Sequence, residues 1–166
     1  MKISDAFSAN PFPTFPNDEE IAALPPEQQQ LWKNKKLVRD FFYRLHDNRD
    51  LTAADDYLPV NYIQHNPTIV TGREGFKAYF KNLFRTFSKN KLDMLMFFAE
   101  GDMVVTYSEY EASNMLMRLR MKFIDIWRIE DGKIVEHWDA VQGRSLKDAL
   151  ILATQPQPNK ANAWNG

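Results

Sequence analysis

The spacing of apolar residues along the chain changes from helical in the first half to alternating in the second. One helical stripe, over residues 27–47, contains Leu31, Val38, Phe42 and Leu45. A second stripe starts at Thr71 or Gly72 and contains Phe76, Tyr79, Phe80, Leu83, Phe84 and Phe87. Apolar residues three to four positions apart cover one face of a helix, so both segments are predicted to be amphipathic helices. Between them, a short helix is predicted to end at Tyr57, before Pro59.

Alternation of apolar and polar residues predicts four strands in the second half, over 91–99, 102–112, 115–129 and 133–142. The first two strands turn at Glu100-Gly101-Asp102. The last two turn at Asp131-Gly132, a strong hairpin signal because glycine tolerates the positive φ of a tight turn. Helices followed by an antiparallel meander indicate an α+β fold, with the helices packed on one face of a curved sheet.

The last predicted hairpin carries ionisable residues on apolar faces. On its first strand, Asp125 shares a face with Met117, Leu119, Met121, Phe123 and Trp127. On its second strand, one face carries Val135, His137, Asp139 and Val141. An ionisable group in an apolar stripe is costly to bury unless it is paired or has a function. We therefore take Asp125, His137 and Asp139 as the candidate functional residues.

A second candidate segment, YIQHNP at residues 62–67, is predicted to be extended and closed by proline. Tyr62, Gln64 and Asn66 share one face of it, and His65 lies on the other. Two interpretations of His65 stay open, a contact to a ligand and a hydrogen-bonded structural histidine. His46, at the end of the first long helix, is expected to interact with the helix dipole.

Composition narrows the classes of function. A chain of 166 residues with 44% hydrophobic residues suits one globular domain, and its net charge of −1 gives no reason to expect nucleic acid or a membrane as partner. The absence of cysteine excludes disulfides and thiolate chemistry. The three histidines lack the short spacings of a metal site, and no glycine-rich phosphate loop occurs. We expect no metal, no cofactor and a cytoplasmic protein.

The two ends of the chain differ from the body at residues 28–143. Residues 1–27 hold five of the nine prolines and predict an extended arm, which lies against the body or a partner subunit through Phe7, Phe12 and Phe15, or is disordered. Residues 144–166 are expected to be a C-terminal tail.

Three of these segments together resemble a known family. YIQHNP, the GREGF that follows it and DIWRIEDGKIVEHWD are similar in order and spacing to the SnoaL-like branch of the nuclear transport factor 2-like superfamily. The resemblance covers roughly residues 30–142, and the final hairpin is its most specific part. It implies a cone-shaped α+β barrel, in which a strongly curved, mostly antiparallel sheet wraps around N-terminal helices and encloses a pocket. It also implies a homodimer.

The resemblance also implies a chemistry. In the polyketide cyclases of this family, the aspartate two residues after the histidine of the last strand is the acid/base, and Asp139 matches that position. His137 would then tune Asp139, while Tyr62, His65, Asn66, Phe123 and Trp127 would contact the substrate. The family carries a histidine where this chain has Asp125, and an ionised carboxylate there would repel a developing oxyanion.

Two functions remain open from the sequence. The first is a cofactor-independent acid/base enzyme, an aldol-type cyclase or isomerase, that acts on a small apolar carbonyl compound. The second is a non-catalytic module of the same fold that binds a hydrophobic ligand or a protein partner. The individual residues also have structural alternatives: Asp125 could pair with Arg73 or another base, and His137 and Asp139 could form a partly exposed pair at a strand end.

Overall fold

The structure, a computed structural model, describes residues 15–159. The helices in this part of the chain are α1 Asp18–Ala22, α2 Pro26–His46, α3 Ala53–Tyr57, α4 Arg73–Thr86 and α5 Leu146–Ala153. The strands are β1 Ile63–Gln64, β2 Lys89–Glu100, β3 Met103–Ser113, β4 Arg118–Glu130 and β5 Lys133–Gly143. The predicted long helices and the four long strands are therefore present, with boundaries close to those expected.

A single sheet with strand order β1-β5-β4-β3-β2 forms the centre of the fold. Strands β2 to β5 make an antiparallel meander, and β1 pairs in parallel with β5. The predicted α+β fold with a curved, mostly antiparallel sheet and N-terminal helices is confirmed. The sheet does not close into a full barrel, because β1 and β2 are its two edges within the described residues.

The long helices bury the faces that their apolar stripes predict. Helix α2 begins with Pro26, whose missing N–H is no loss at the first helical position. Helix α4 buries Phe76, Phe80 and Phe84, which recur every four residues, and neighbouring ring centroids in this row lie 4.5 and 5.8 Å apart. The residues of α2 that are buried in the common core are Val38, Phe41, Phe42 and Leu45.

The hairpin between β4 and β5 has the turn that its sequence predicts. Asp131 and Gly132 have φ angles of 48° and 69°, and positive φ at both central residues defines the type I′ turn. The alternation assigned to β5 was wrong at one position. The register shifts so that Ile134 lies opposite Ile129, which leaves Val135 without a partner on β4. Ile134 is therefore buried in place of Val135. Beyond this bulge, the alternation of β5 continues with His137 on the buried side.

Strand β4 starts at Arg118, later than the predicted residue 115. The side chain of Asn114 accepts hydrogen bonds from the backbone N–H groups of Leu116 and Met117, both at 2.8 Å. An asparagine that bonds its own following backbone stabilises a turn, so these residues form the β3–β4 connection.

Both ends of the described chain lie on the body. The ring of Phe15 packs edge-on against Trp32 and Phe97, with centroid distances of 5.5 and 4.8 Å. The predictions for Phe7, Phe12 and residues 160–166 lie outside the described residues. At the other end, the segment predicted as a tail contains α5, which begins at the N-cap Ser145 and contacts β5 and β4. Among residues 15–159, none of the helices combines the length and apolarity needed to cross a membrane.

A close backbone approach explains the glycine of the GREGF segment and gives a testable prediction. A Cβ added to Gly75 would lie 2.2 Å from the carbonyl oxygen of Val70, in the loop before α4. We expect Gly75→Ala to lower the free energy of unfolding by about 1–3 kcal/mol, the usual cost of overpacking. Urea unfolding measures it, with Lys81→Ala on the exposed side of α4 as a control expected to change stability by less than about 0.5 kcal/mol. Equal stabilities of the Gly75→Ala variant and the wild type would contradict the close contact.

Candidate functional site

A cavity of about 420 Å³ lies between the helices and the inner face of the sheet. Its wall is mostly apolar and includes Phe42, Phe76, Phe80, Leu83, Leu92, Leu119 and Phe123. On the sheet side, polar side chains that line it come from the middle of β3, β4 and β5, from β1 and from the segment after β1: Ser108, Asp125, His137, Asp139, Gln64 and Asn66. The cavity is therefore an apolar chamber with a group of polar residues on its sheet side.

Asp125 lies at the centre of this polar group. It is 2% exposed and stands opposite Thr106 in the β3–β4 register. Its Oδ2 accepts hydrogen bonds from the hydroxyls of Thr106 and Ser108, at 3.2 and 3.3 Å. Trp127 Nε1 donates to Thr106 Oγ1 at 3.2 Å, so Thr106 is left to direct its own hydrogen to Asp125. Two hydroxyl donors thus hold one carboxylate oxygen in a buried position.

His137 lies within hydrogen-bond distance of Asp125. Its Nε2 lies 3.2 Å from Asp125 Oδ1, its Nδ1 lies 3.0 Å from Gln64 Oε1, and its ring stacks on Trp127 with a centroid distance of 3.9 Å. Gln64 Oε1 also accepts from the backbone N–H of Asn66 at 2.9 Å. That N–H can only donate, so this end of the Gln64 amide is the acceptor and His137 Nδ1 carries a hydrogen. His137 Nε2 then faces Asp125 Oδ1, and a hydrogen bond between these two atoms requires a hydrogen on one of them.

Asp139 is the third member of the group. Strand alternation brings it to the cavity two residues after His137, and it faces Asp125 directly in the β4–β5 register. Its Oδ2 accepts from Asn66 Nδ2 at 2.6 Å. Burial raises the pKa of the Asp139 carboxyl above its usual value, against the opposing effects of His137 and Asn66, and the charge of Asp125 raises it further. A carboxyl group with a raised pKa gains and loses a proton more readily near neutral pH.

The structure divides the predicted contact residues into two groups. Asn66, Phe123 and Trp127 line the cavity together with the three ionisable residues. Tyr62 lies behind the wall, where its fully buried hydroxyl accepts a hydrogen bond from Gln64 Nε2 at 3.1 Å. His65 lies outside the cavity, because strand alternation turns Gln64 inward and its neighbour outward.

The contacts of His65 fit the structural interpretation. Its ring stacks on Trp138 with a centroid distance of 4.7 Å, and its Nε2 lies 2.8 Å from Glu136 Oε1. Arg128 Nε donates to the other oxygen of Glu136 at 2.8 Å. His65 therefore belongs to a polar cluster on the outer side of β5.

The structural alternatives for the hairpin residues match the observed contacts only in part, because Asp125 pairs with a base, but with His137 and not with Arg73. Arg73 faces Asp55, with Nε and Oδ1 3.4 Å apart, whereas Asp125 is bonded to His137. His137 is 4% exposed, so it is not part of an exposed pair at a strand end.

We did not predict from the sequence that the polar residues His46 and Tyr110 line the cavity. The expected role of His46 as a partner of the helix dipole was wrong. This residue lines the cavity, and burial lowers its pKa to about 3. It is therefore uncharged at neutral pH and cannot act as a cation at the helix end. Its spacing of four residues from Phe42 and eight from Val38 was the available signal, since it continues the apolar stripe of α2. Tyr110, buried beside it on β3, had no such signal.

The C-terminal segment covers part of the cavity. Its lining residues there are Ile151, Gln155, Pro156 and Pro158. Asn159 fastens this segment, because its Nδ2 donates to the backbone oxygens of Gln64 and Asn66 at 2.5 and 3.3 Å. The predicted tail therefore contributes to the wall of the site.

The same three residues could hold a metal ion. Asp125, His137 and Asp139 each offer one ligand atom, and these atoms lie within 4.8 Å of one another. An imidazole nitrogen and two carboxylate oxygens suit a divalent transition metal, but coordination would have to displace the hydrogen bond between His137 and Asp125. The expected absence of a metal stays a prediction.

Comparison with known proteins places the chain in a family. The sequence profile of the SnoaL-like domain matches residues 38–137, which ends two residues before Asp139. None of the curated proteins compared with the chain matches it.

Solved structures share the fold at low sequence identity. TsrD from Streptomyces laurentii is 23% identical, with a TM-score of 0.59 over 77% of this chain and 96% of that one. A Bacillus cereus protein assigned as a polyketide cyclase is 21% identical, with a TM-score of 0.65 over 79% and 87%. An LEH-like epoxide hydrolase from M. tuberculosis is 15% identical, with a TM-score of 0.61 over 74% and 90%. At these identities the likeness establishes the architecture, while the profile match covers more than half of the chain. The protein belongs to the SnoaL-like domain family.

Proposed function

We propose that this protein is a cofactor-independent acid/base enzyme that removes a proton from a carbon next to the carbonyl of a small apolar compound, as an aldol-type cyclase or isomerase does. One observation carries the proposal. Asp139, a carboxyl group whose pKa is raised by burial, stands in an apolar cavity beside a histidine and an aspartate that lie within hydrogen-bond distance of each other.

The three residues divide the chemistry between them. Asp139 accepts the proton from carbon, and Asn66 holds it in position through the 2.6 Å hydrogen bond to Oδ2. The proton between His137 and Asp125 supplies a donor for the oxygen on which negative charge develops. The hydroxyls of Thr106 and Ser108 offset the charge of Asp125, which reduces the repulsion that an isolated carboxylate would exert on an oxyanion.

The wall of the cavity favours a neutral substrate. Within the described residues, no lysine or arginine lines the cavity, so an anionic group would be buried there without a counter-ion. Aromatic and aliphatic side chains make up most of the surface. A small, neutral, largely apolar ketone fits this environment.

The alternative is a binding protein of the same fold without catalysis. The hydrogen bond between His137 and Asp125 supports it, because each group then satisfies the other without a substrate. Both functions predict that an apolar carbonyl compound binds, and only the first predicts that it reacts.

We also propose a homodimer that forms through the outer face of the sheet. Two rows of mainly apolar residues cross this face: Phe98, Val105, Ile126 and Trp138 in one, Met96, Tyr107, Ile124 and Ala140 in the other. Phe98 and Ile124, one from each row, are 62% and 50% exposed, and exposed apolar residues grouped on one face are typical of an interaction surface. The cytoplasmic location stays a prediction.

Deuterium exchange tests the proposed chemistry without knowledge of the natural substrate. The probe is a cyclohexanone that carries a phenyl group on the ring carbon opposite the carbonyl. We expect the wild-type protein to accelerate the exchange of the protons next to the carbonyl in deuterium oxide, as followed by proton NMR, in buffer containing EDTA. Binding of the ketone without accelerated exchange would overturn catalysis and favour the binding protein. Exchange that is accelerated only when EDTA is left out of the buffer would instead assign the cluster to a metal.

A further inference from the structure

The cavity contains a second pair of polar groups that the proposed chemistry does not use. His46 Nδ1 and Tyr110 Oη are both buried and make no hydrogen bond to any other described residue. The two residues are each 4% exposed, line the cavity, and have ring centroids 5.2 Å apart. Folded proteins rarely leave buried polar atoms unpaired, because each one costs about 1–3 kcal/mol.

Their surroundings give these atoms no other role. The ring of His46 contacts Phe42, Phe80 and Phe84, with centroid distances of 5.2, 5.3 and 6.2 Å. Apart from Tyr110, these ring contacts carry no polar atom. The two unpaired atoms therefore belong to neighbouring residues in a mainly aromatic part of the wall.

The register of the sheet separates this patch from the acid/base group. Tyr110 lies four residues along β3 from Thr106, which is opposite Asp125. At a rise of about 3.3 Å per residue, the two positions are roughly 13 Å apart along the strand. A ligand that reaches both must be elongated.

We propose that His46 and Tyr110 form a second binding subsite, which holds a hydroxyl or carbonyl oxygen at the far end of an elongated apolar substrate. The inference rests on the proposed function for the place of the reacting carbonyl, near Asp139. The subsite itself depends only on the cavity and its unpaired atoms.

The protonation states define the kind of group that fits. Burial raises the pKa of the Tyr110 hydroxyl, so the hydroxyl stays protonated and can donate. His46 is uncharged at neutral pH, and its Nδ1 accepts or donates according to the tautomer. A ligand hydroxyl can accept from Tyr110 and donate to His46, and a ligand carbonyl can accept from both. A carboxylate or phosphate does not fit this subsite, because no cation lines the described part of the cavity.

A pair of matched ligands tests the subsite. The first is the phenyl-substituted cyclohexanone, and the second is the same compound with a hydroxyl at the para position of the phenyl ring. We expect the wild-type protein to bind the hydroxylated compound about tenfold more tightly, as measured by calorimetry, since one neutral hydrogen bond contributes up to about this factor. Tyr110→Phe is expected to bind the two compounds with equal affinity.

Tyr107→Phe provides the matched control. Tyr107 lies on the same strand but faces away from the cavity, so this variant should keep the tenfold preference. The stability of Tyr110→Phe adds a second readout. Removing an unpaired buried hydroxyl should leave the urea midpoint unchanged or raised, whereas a structural hydrogen bond would make it fall.

The outcomes separate this inference from the proposed function. Equal wild-type affinities for the two compounds, binding of neither, or a preference that survives in Tyr110→Phe would overturn the subsite. Absence of deuterium exchange would overturn catalysis alone, because the affinity ratio is measured without turnover.

Discussion

Replacing Asp139 with asparagine is expected to slow protein-catalysed deuterium exchange into the phenyl-substituted cyclohexanone by at least about a hundredfold, the usual contribution of a positioned general base. The amide keeps the shape of the side chain but has no basic oxygen that can take a proton from carbon. Proton NMR on wild type and variant under the same conditions measures the ratio. Asp102→Asn, in the exposed turn between β2 and β3, removes a carboxyl group far from the cavity and should leave the rate unchanged.

The stability of the same variant distinguishes lost chemistry from lost folding. Because the pKa of Asp139 is raised in the folded protein, the unfolded chain releases this proton at a lower pH than the folded one. The contribution of Asp139 to stability is therefore full below the ordinary aspartate pKa of about 3.9 and is lost as the pH rises through the raised value. At neutral pH, Asp139→Asn should resist urea at least as well as the wild type. Unchanged exchange in the folded variant would remove Asp139 from the mechanism.

Replacing His46 with phenylalanine is expected to remove a large part of the acid sensitivity of the fold. Burial lowers the pKa of His46 to about 3, against an ordinary value of about 6.5. As the pH falls below about 6.5, His46 takes up a proton in the unfolded chain but not in the folded protein. This difference lowers the free energy of unfolding by about 1.4 kcal/mol per pH unit. Between about pH 7 and pH 5 the wild type should therefore lose about 2 kcal/mol through this residue, and His46→Phe should not.

Urea unfolding of both proteins at the two pH values measures this difference. The phenyl ring is close in shape to imidazole and would have the same aromatic neighbours, so the comparison isolates the titration. The wild-type and variant stabilities should converge or cross as the pH falls. A constant difference between them would mean that His46 takes up a proton in the folded state, which would contradict its burial as a neutral group.

The spacing of apolar residues and the residue types of the turns were enough to predict much of the architecture. Residues spaced every four positions in α4, such as Phe76 and Phe80, fill the core wherever the helix packs, and the Asp131-Gly132 turn is specified by its own φ angles. The inward direction of Asp125 followed from the alternation of β4 for the same reason. These features depend on residues that are close together in the sequence, so they can be predicted from it directly.

The partners of the site residues were decided by contacts between distant segments. Gln64 orients His137 because β1 pairs in parallel with β5. The two residues are 73 positions apart in sequence, and no local pattern predicts this pairing. The hydroxyls that hold Asp125 come from β3, and the register that aligns them is fixed by the whole meander. The bulge that leaves Val135 unpaired likewise depends on the strand opposite.

The sequence alone therefore determined the α+β fold and the inward-facing acid and imidazole groups of the last hairpin, because helical and strand periods are local properties of the chain. Only the tertiary structure decided that Asp125 and His137 lie within hydrogen-bond distance, that Asp139 is bonded to Asn66, and that the C-terminal segment covers the cavity. It also decided that His46 and Tyr110 meet, since a helix end and a strand far apart in sequence become neighbours only when the core is packed.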